Sequence, residues 1–274
     1  MGNFMEIIKT IFIASNPFGT SQLRLDEEIR SITEKIRASE YRDSLELYSF
    51  WAARPDDLLQ ALNMHRPQIV HFSGHGNTTG EIILADSSGQ KPISTKALKS
   101  LFSVLKDNIR VVVLNACYSK TQAEAITQVI DCAIGMNKAI GDRAAIVFAA
   151  SFYRAIGFGR SVKDAFEQGK TALLLEGLSE DDVPELLVRD SIDPSTLFLV
   201  GTSSTPLRKK NETTKTESQE LEEKNWETVR VAASLVMRAP LRSCVYCKSL
   251  HSVEDCPYRR QIYDIIHKDE MLHM

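Results

Sequence analysis

At 274 residues, 43% apolar and 25% charged, the chain can hold one full domain plus a small appendage, with the composition of an ordinary soluble globular protein. A formal net charge of -3 argues against nucleic-acid binding through bulk electrostatics. With no run of about 18 apolar residues, a membrane span is not expected.

The first residues, Met1 to Glu6, lack a basic region followed by an apolar core, so no secretory signal is expected. Glu6 also stands where a myristoylation motif wants Ser or Thr. Lys9–Ser15 is a short apolar run that predicts a first strand, and Asn16-Pro17-Phe18-Gly19-Thr20 is turn chemistry. Leu25, Ile29, Ile32 and Ile36 recur at helical spacing and predict a helix over 23–36. Ser44–Trp51 predicts a second strand. Pro55 with Asp56 and Asp57 opens a helix running to about Met64, because proline suits the first turn and carboxylates suit its positive end.

Gln68–Ser73 reads as the third strand and leads to His75. Beyond a polar loop, residues 81–85 predict a small hairpin with Pro92 and Ile93. Ser94 caps a helix over 95–105, and Arg110–Leu114 is the fourth strand. After Cys117 come a helix over 119–130, a strand over 131–136, helices over 141–156 and 161–175, and a final strand over Ser195–Val200. This alternation predicts an α/β fold with a mostly parallel sheet covered on both faces.

Composition shifts after Gly201. Residues 203–225 are too polar to fold alone and read as a flexible linker, followed by an amphipathic segment over 226–237 and a short helix at Arg260–His267. Between them lie Cys244, Cys247, His251 and Cys256, spaced C-x2-C-x3-H-x4-C. Three thiolates and one imidazole in so short a run match tetrahedral zinc. The segment resembles a zinc knuckle shortened by one residue before the histidine; a reduced, metal-free tail is the alternative. Tyr246, Tyr258, Arg242, Arg259 and Arg260 offer stacking and charge for single-stranded nucleic acid, but Glu254 and Asp255 oppose them, and a protein-docking role is equally open.

Two stretches end in reactive side chains. Ile69-Val70-His71-Phe72-Ser73 leads to Gly74-His75-Gly76, and Val111-Val112-Val113-Leu114 leads to Asn115-Ala116-Cys117. Continuous hydrophobics followed by a polar or glycine break describe buried parallel strands, and function gathers at their carboxyl ends. His75 and Cys117 are therefore expected at one edge of one sheet. An imidazole there can take a thiol proton and return it to a leaving amine, while the backbone N–H groups of Gly76 and Cys117 are candidate oxyanion donors. The plainer alternative is a loop histidine and a core cysteine. Five cysteines, three of them crowded in the tail, do not form a disulfide framework for the body and fit a reducing cytoplasm.

The blocks His71-Phe72-Ser73-Gly74-His75-Gly76 and Leu114-Asn115-Ala116-Cys117-Tyr118-Ser119, then Ile134-Gly135-Met136 through Phe152-Tyr153 and Gly159-Arg160-Ser161-Val162, resemble the CHAT branch of the caspase-like cysteine peptidases, in the family's order. The resemblance covers roughly residues 8–202. It implies a caspase-like three-layer sandwich over 1–202, followed by the linker 203–225 and the tail 226–274. It implies peptide-bond cleavage by a His75–Cys117 dyad with no cofactor for catalysis; the zinc expectation rests on the tail's own spacing alone. The motif places the base directly before a glycine, so His71 is read as structural.

Relatives that cut after arginine keep a carboxylate in the first pocket; this chain offers Asn115 and Asp142 as pocket residues. Asp142 is equally suited to cap the helix that follows it. Relatives are commonly regulated effectors, for example in bacterial antiviral defence, so a protein substrate and an activating partner protein are implied. The rival classes are a catalytically silent adaptor and a nucleic-acid sensor working through the tail.

Overall fold

A segment such as Thr10-Ile11-Phe12-Ile13-Ala14 is apolar on both of its faces, and it can be buried only if helices cover both sides of the sheet it joins. The computed structural model describes residues 7–86 and 89–201. The linker, the amphipathic segment, the cluster of Cys244, Cys247, His251 and Cys256, and the helix expected at Arg260–His267 lie outside the described residues.

In chain order the elements are β1 (Ile8–Ser15), α1 (Leu25–Arg37), β2 (Leu45–Phe50), α2 (Pro55–His65), β3 (Ile69–Gly74), β4 (Ile82–Asp86), β5 (Gly89–Ile93), α3 (Thr95–Leu105), β6 (Val111–Asn115), α4 (Lys120–Ile126), β7 (Cys132–Met136), α5 (Asp142–Gly157), α6 (Val162–Leu175) and β8 (Pro184–Val188). The main sheet has the order β2-β1-β3-β6-β7-β8. Its first five strands are parallel, and β8 closes one edge antiparallel to β7. β4 and β5 form a separate antiparallel hairpin.

The period-2 alternation of each strand sorts the core into two layers. Phe12, Ile69, Val111, Val113 and Ile134 pack with residues of α1, α5 and α6. Ile11, Ile13, Val70, Phe72, Val112 and Leu114 pack with residues of α2, α3, α4 and the hairpin. Local chemistry sets the helix starts. Ser94 Oγ accepts the N–H of Ala97 at α3, and Ser161 Oγ accepts that of Asp164 at α6. Pro55 sits in the first turn of α2. Among the described residues no helix is long and apolar enough to cross a membrane.

One expectation is corrected. Ser195–Val200 is not a strand; it makes a single bridge, Ser161 to Phe198. Its carbonyls instead serve the start of α6, Leu197 O accepting the N–H of Val162 and Pro194 O that of Lys163. Leu197, Leu199 and Val200 are buried all the same, which is why the run looked like a strand. The sheet edge goes to β8, whose leading proline and half-buried face are marks of an edge strand.

The sheet order turns at β1, which has β2 on one side and β3 on the other. The loops leaving β1 and β3 therefore part from each other, and in open α/β sheets such a point is where a ligand crevice forms outside the carboxyl ends. The loop after β1 spans residues 16–24, and the loop after β3 begins at His75.

Candidate active site

The two predicted loops meet backbone to backbone. A Cβ added to Gly76 would lie 2.0 Å from Cys117 O and 3.1 Å from Cys117 N. Only glycine fits there. Gly74 is constrained in the same way, with Ser15 O 2.5 Å from where a Cβ would stand. His75 is pinned between these glycines, its carbonyl accepting the N–H of Ile83 at 2.9 Å.

Beyond β6 the chain turns sharply. Tyr118 adopts φ 58°, a left-handed conformation that L residues rarely take, and its N–H reaches Lys138 O at 3.3 Å. Ser119 Oγ donates to Leu114 O at 2.8 Å and accepts the N–H of Met136 at 3.0 Å, fixing the loop to both β6 and β7. Cys117 is left half-buried, with Sγ 3.9 Å from Ile140 O. Among the described residues, neither the N–H of Gly76 nor that of Cys117 donates a hydrogen bond.

His75 Nε2 lies 2.8 Å from the Ser21 carbonyl and 3.2 Å from Asn16 Oδ1. The Ser21 carbonyl can only accept, and with the Asn16 amide oxygen also facing the ring it places the proton on Nε2. Nδ1 is then the basic nitrogen, and it has no hydrogen-bond partner among the described residues. Burial lowers the pKa of this imidazole below its ordinary value, the Ser21 carbonyl opposing in part. The ring is thereby kept neutral near pH 7.

His71, four residues earlier, is fully buried and stacks on Phe12 with ring centroids 5.0 Å apart. Its Nδ1 lies 3.2 Å from Tyr153 Oη and its Nε2 3.0 Å from Glu28 Oε1. Burial, aided by the charge of Glu28, holds the Tyr153 phenol well above its usual range. The phenol therefore donates to Nδ1, and Nε2–H donates to Glu28. Glu28 also accepts from Ser73 Oγ and, at 2.7 Å, from Asn115 Nδ2. Ser73 and Asn115 are register partners across β3 and β6. Each lies two residues before a dyad candidate. Glu28 thus ties α1 to both strands beneath the crevice.

The two pocket candidates part company here. Asn115 is only 3% exposed, and its amide is engaged with Glu28 and, at 3.2 Å, with Ala145 O. It shares the α1 face of β6 with Val111 and Val113, so its side chain is under the crevice and does not line it. Asp142 is the first residue of α5, whose N-cap is Gly141. Its carboxylate does not cap its own helix. It accepts from Arg24 Nε at 2.8 Å and from the Arg24 backbone N–H at 3.3 Å, Arg24 being the N-cap of α1.

Sequence reasoning missed Glu28 and Ser21. A signal for Glu28 existed: with Leu25, Ile32 and Ile36 it forms the buried stripe of α1, a place where an unpaired carboxylate is not tolerated. Ser21 acts through its carbonyl, a group every residue carries, so no sequence signal was available. Among the described residues no cluster of His, Cys, Asp and Glu could hold a metal ion.

The sequence model of the CHAT domain family matches residues 17–185. A Roc-COR-CHAT protease from an unknown prokaryotic organism is 28% identical over 173 residues, 60% of this chain and 16% of that protein. A probable protease of Gillisia limnaea is 24% identical over 155 residues, 56% of this chain and 27% of that protein. The matching segment is therefore a minor part of either relative. Two solved structures share the fold. A secreted C11 cysteine protease from Bacteroides thetaiotaomicron, bound to an irreversible peptide inhibitor, superposes with a TM-score of 0.50 at 13% identity over 67% of this chain and 66% of that one. The Arg-specific cysteine proteinase gingipain R superposes with a TM-score of 0.50 at 13% identity over 71% and 50%. The family match spans more than half of the sequence, and on it, together with the caspase-like α/β architecture, the chain belongs to the CHAT domain family.

Proposed function

We propose that this protein is a cysteine endopeptidase in which Cys117 is the nucleophile and His75 the general base. The observation that supports this reading is the close approach of the Gly76 and Cys117 backbones, the two loops being in contact. The unprotonated Nδ1 of His75 takes the thiol proton. The Cys117 thiolate attacks the scissile carbonyl, and its oxygen, now negative, is met by the unused N–H groups of Gly76 and Cys117. The imidazolium returns the proton to the departing amine, leaving a thioester that water hydrolyses. No metal or organic cofactor takes part in these steps.

Asp142 is proposed as the carboxylate of the first pocket, favouring cleavage after a basic residue. It stands two residues from Ile140, whose carbonyl meets the thiol, and a carboxylate there complements a guanidinium. Gingipain R, which shares the fold, is named as Arg-specific. A role as a regulated effector of bacterial antiviral defence, released by an activating partner protein in the cytoplasm, rests on the family resemblance.

The test is proteome-wide mapping of new amino termini made by the wild type and by Cys117→Ala. The expected result is a set of cuts, enriched after Arg or Lys, that vanishes in the variant. Identical sets from both proteins, with Cys117 no more reactive than a free thiol, would leave a silent adaptor as the better reading.

A further inference from the structure

Asp142 already holds a cation supplied by the chain itself. Besides its contacts to Asp142, Arg24 is held from its other side by Glu27, Nη1 to Oε2 at 2.8 Å. Arg24 lies three residues from Ser21, whose carbonyl orients His75, and Asp142 two residues from Ile140, whose carbonyl meets Cys117 Sγ. The ion pair therefore joins the loop that anchors the base to the loop that packs on the nucleophile.

Its construction is that of an occupant rather than a rivet. The Arg24 side chain is 51% exposed, so it can leave without unpacking any core. Glu27 offers it a second carboxylate once it leaves. The two contacts from the Arg24 backbone N–H to Asp142 do not depend on the guanidinium, so the carboxylate stays in place after the side chain swings away.

Resting on the reading of Asp142 as the first-pocket carboxylate, we propose that Arg24 is a specificity-determining residue. In the free protein its guanidinium occupies Asp142 and competes there with the basic side chain of the substrate. A substrate arginine presents the same planar fork and can replace it in kind. A lysine ammonium is a poorer substitute, and a neutral side chain cannot displace it at all. The resident arginine thus penalises every side chain that needs Asp142 by one common factor and leaves a neutral side chain, which does not need it, unpenalised. Exposed ion pairs are weak, so the competition is worth about two- to fivefold in rate.

The experiment uses the full chain and three acyloxymethyl ketone probes that carry arginine, lysine or norleucine beside the ketone. The Cys117 thiolate displaces the carboxylate leaving group to form a thioether, followed by intact mass. Arg24→Gln is expected to raise the ratio of arginine to norleucine rates about two- to fivefold. Arg24→Lys is expected to fall between wild type and Arg24→Gln, and Asp142→Asn removes both the arginine preference and the gain from Arg24→Gln. A parallel decline of all three rates in Arg24→Gln, or an unchanged ratio, would overturn the proposal and make the pair a structural tie.

Benzamidine binding, read by ligand-detected NMR in the Cys117→Ala background, tests occupancy without needing the thiol. It should tighten in Arg24→Gln and be lost in Asp142→Asn. Probes that react while benzamidine ignores Arg24→Gln defeat the occupancy alone. Benzamidine behaving as expected while no probe reacts in the wild type defeats the dyad alone.

Discussion

Glycine 76 is the residue on which the site turns. Any side chain there would drive into the Cys117 carbonyl, 2.0 Å from the Cβ position. Gly76→Ala must push the two loops apart. A displacement of about 1 Å is enough to cost about 10²-fold in rate. We expect a loss of that order in Cys117 alkylation or peptide cleavage, with most of the folding stability retained; an alanine variant that cleaves normally would contradict the packing. The two described cysteines should also separate. Burial, with the charge of Asp131 adding to it, pushes the Cys132 thiol up to about 12, so an iodoacetamide-type reagent should label Cys117 well before Cys132 in the folded protein.

His75 supplies a pH prediction. Its pKa is lowered from 6.5, chiefly by burial. With the neutral ring as the proposed base, activity should be present above the lowered pKa and lost as pH falls through it. The acid limb of kcat/KM should then have its midpoint below 6.5. A midpoint above 7 would assign that limb to another group. By linkage the same shift removes stability as pH falls from the unfolded value through the folded one, because the unfolded chain binds that proton first.

At the scale of elements, α1 is fastened to the sheet by a buried carboxylate as well as by its apolar stripe. Glu28→Ala would leave Ser73 and His71 each without this acceptor in a dry interior, and Asn115 with only the Ala145 carbonyl. Unsatisfied buried groups cost about 1–3 kcal/mol apiece, so a loss of about 2 kcal/mol or more is expected in denaturant unfolding. A loss below about 1 kcal/mol would mean the network contributes little. The run Ser195–Val200 behaves differently from the final strand its pattern promised. Leu199 is packed among α5 and α6 residues, and Leu199→Ala should cost about 2–5 kcal/mol, as for a core leucine. Thermal unfolding close to wild type would show that the segment is merely laid on the surface.

At the scale of the whole molecule, hydrophobic pattern carried the architecture. Runs such as Val111–Leu114 can be satisfied only by a sheet covered on both faces, and strand-helix alternation then demands a parallel order. The same logic placed His75 and Cys117 at carboxyl ends, because a buried run must stop where a polar side chain begins. It failed at Ser195–Val200, where burial came from helix contacts, and at β8, whose half-buried edge position weakens the pattern.

What the sequence determined by itself was thus the layer plan and the strand ends at which His75 and Cys117 stand; both follow from side-chain chemistry and period along the chain. Only the tertiary structure decided that Asn115 turns inward to Glu28, that Asp142 holds Arg24 instead of capping its own helix, and that the Ser21 carbonyl assigns the proton on His75. Those outcomes join residues distant in sequence through backbone carbonyls and shared carboxylates. Such partners are chosen by three-dimensional packing, and the order of residues does not label them.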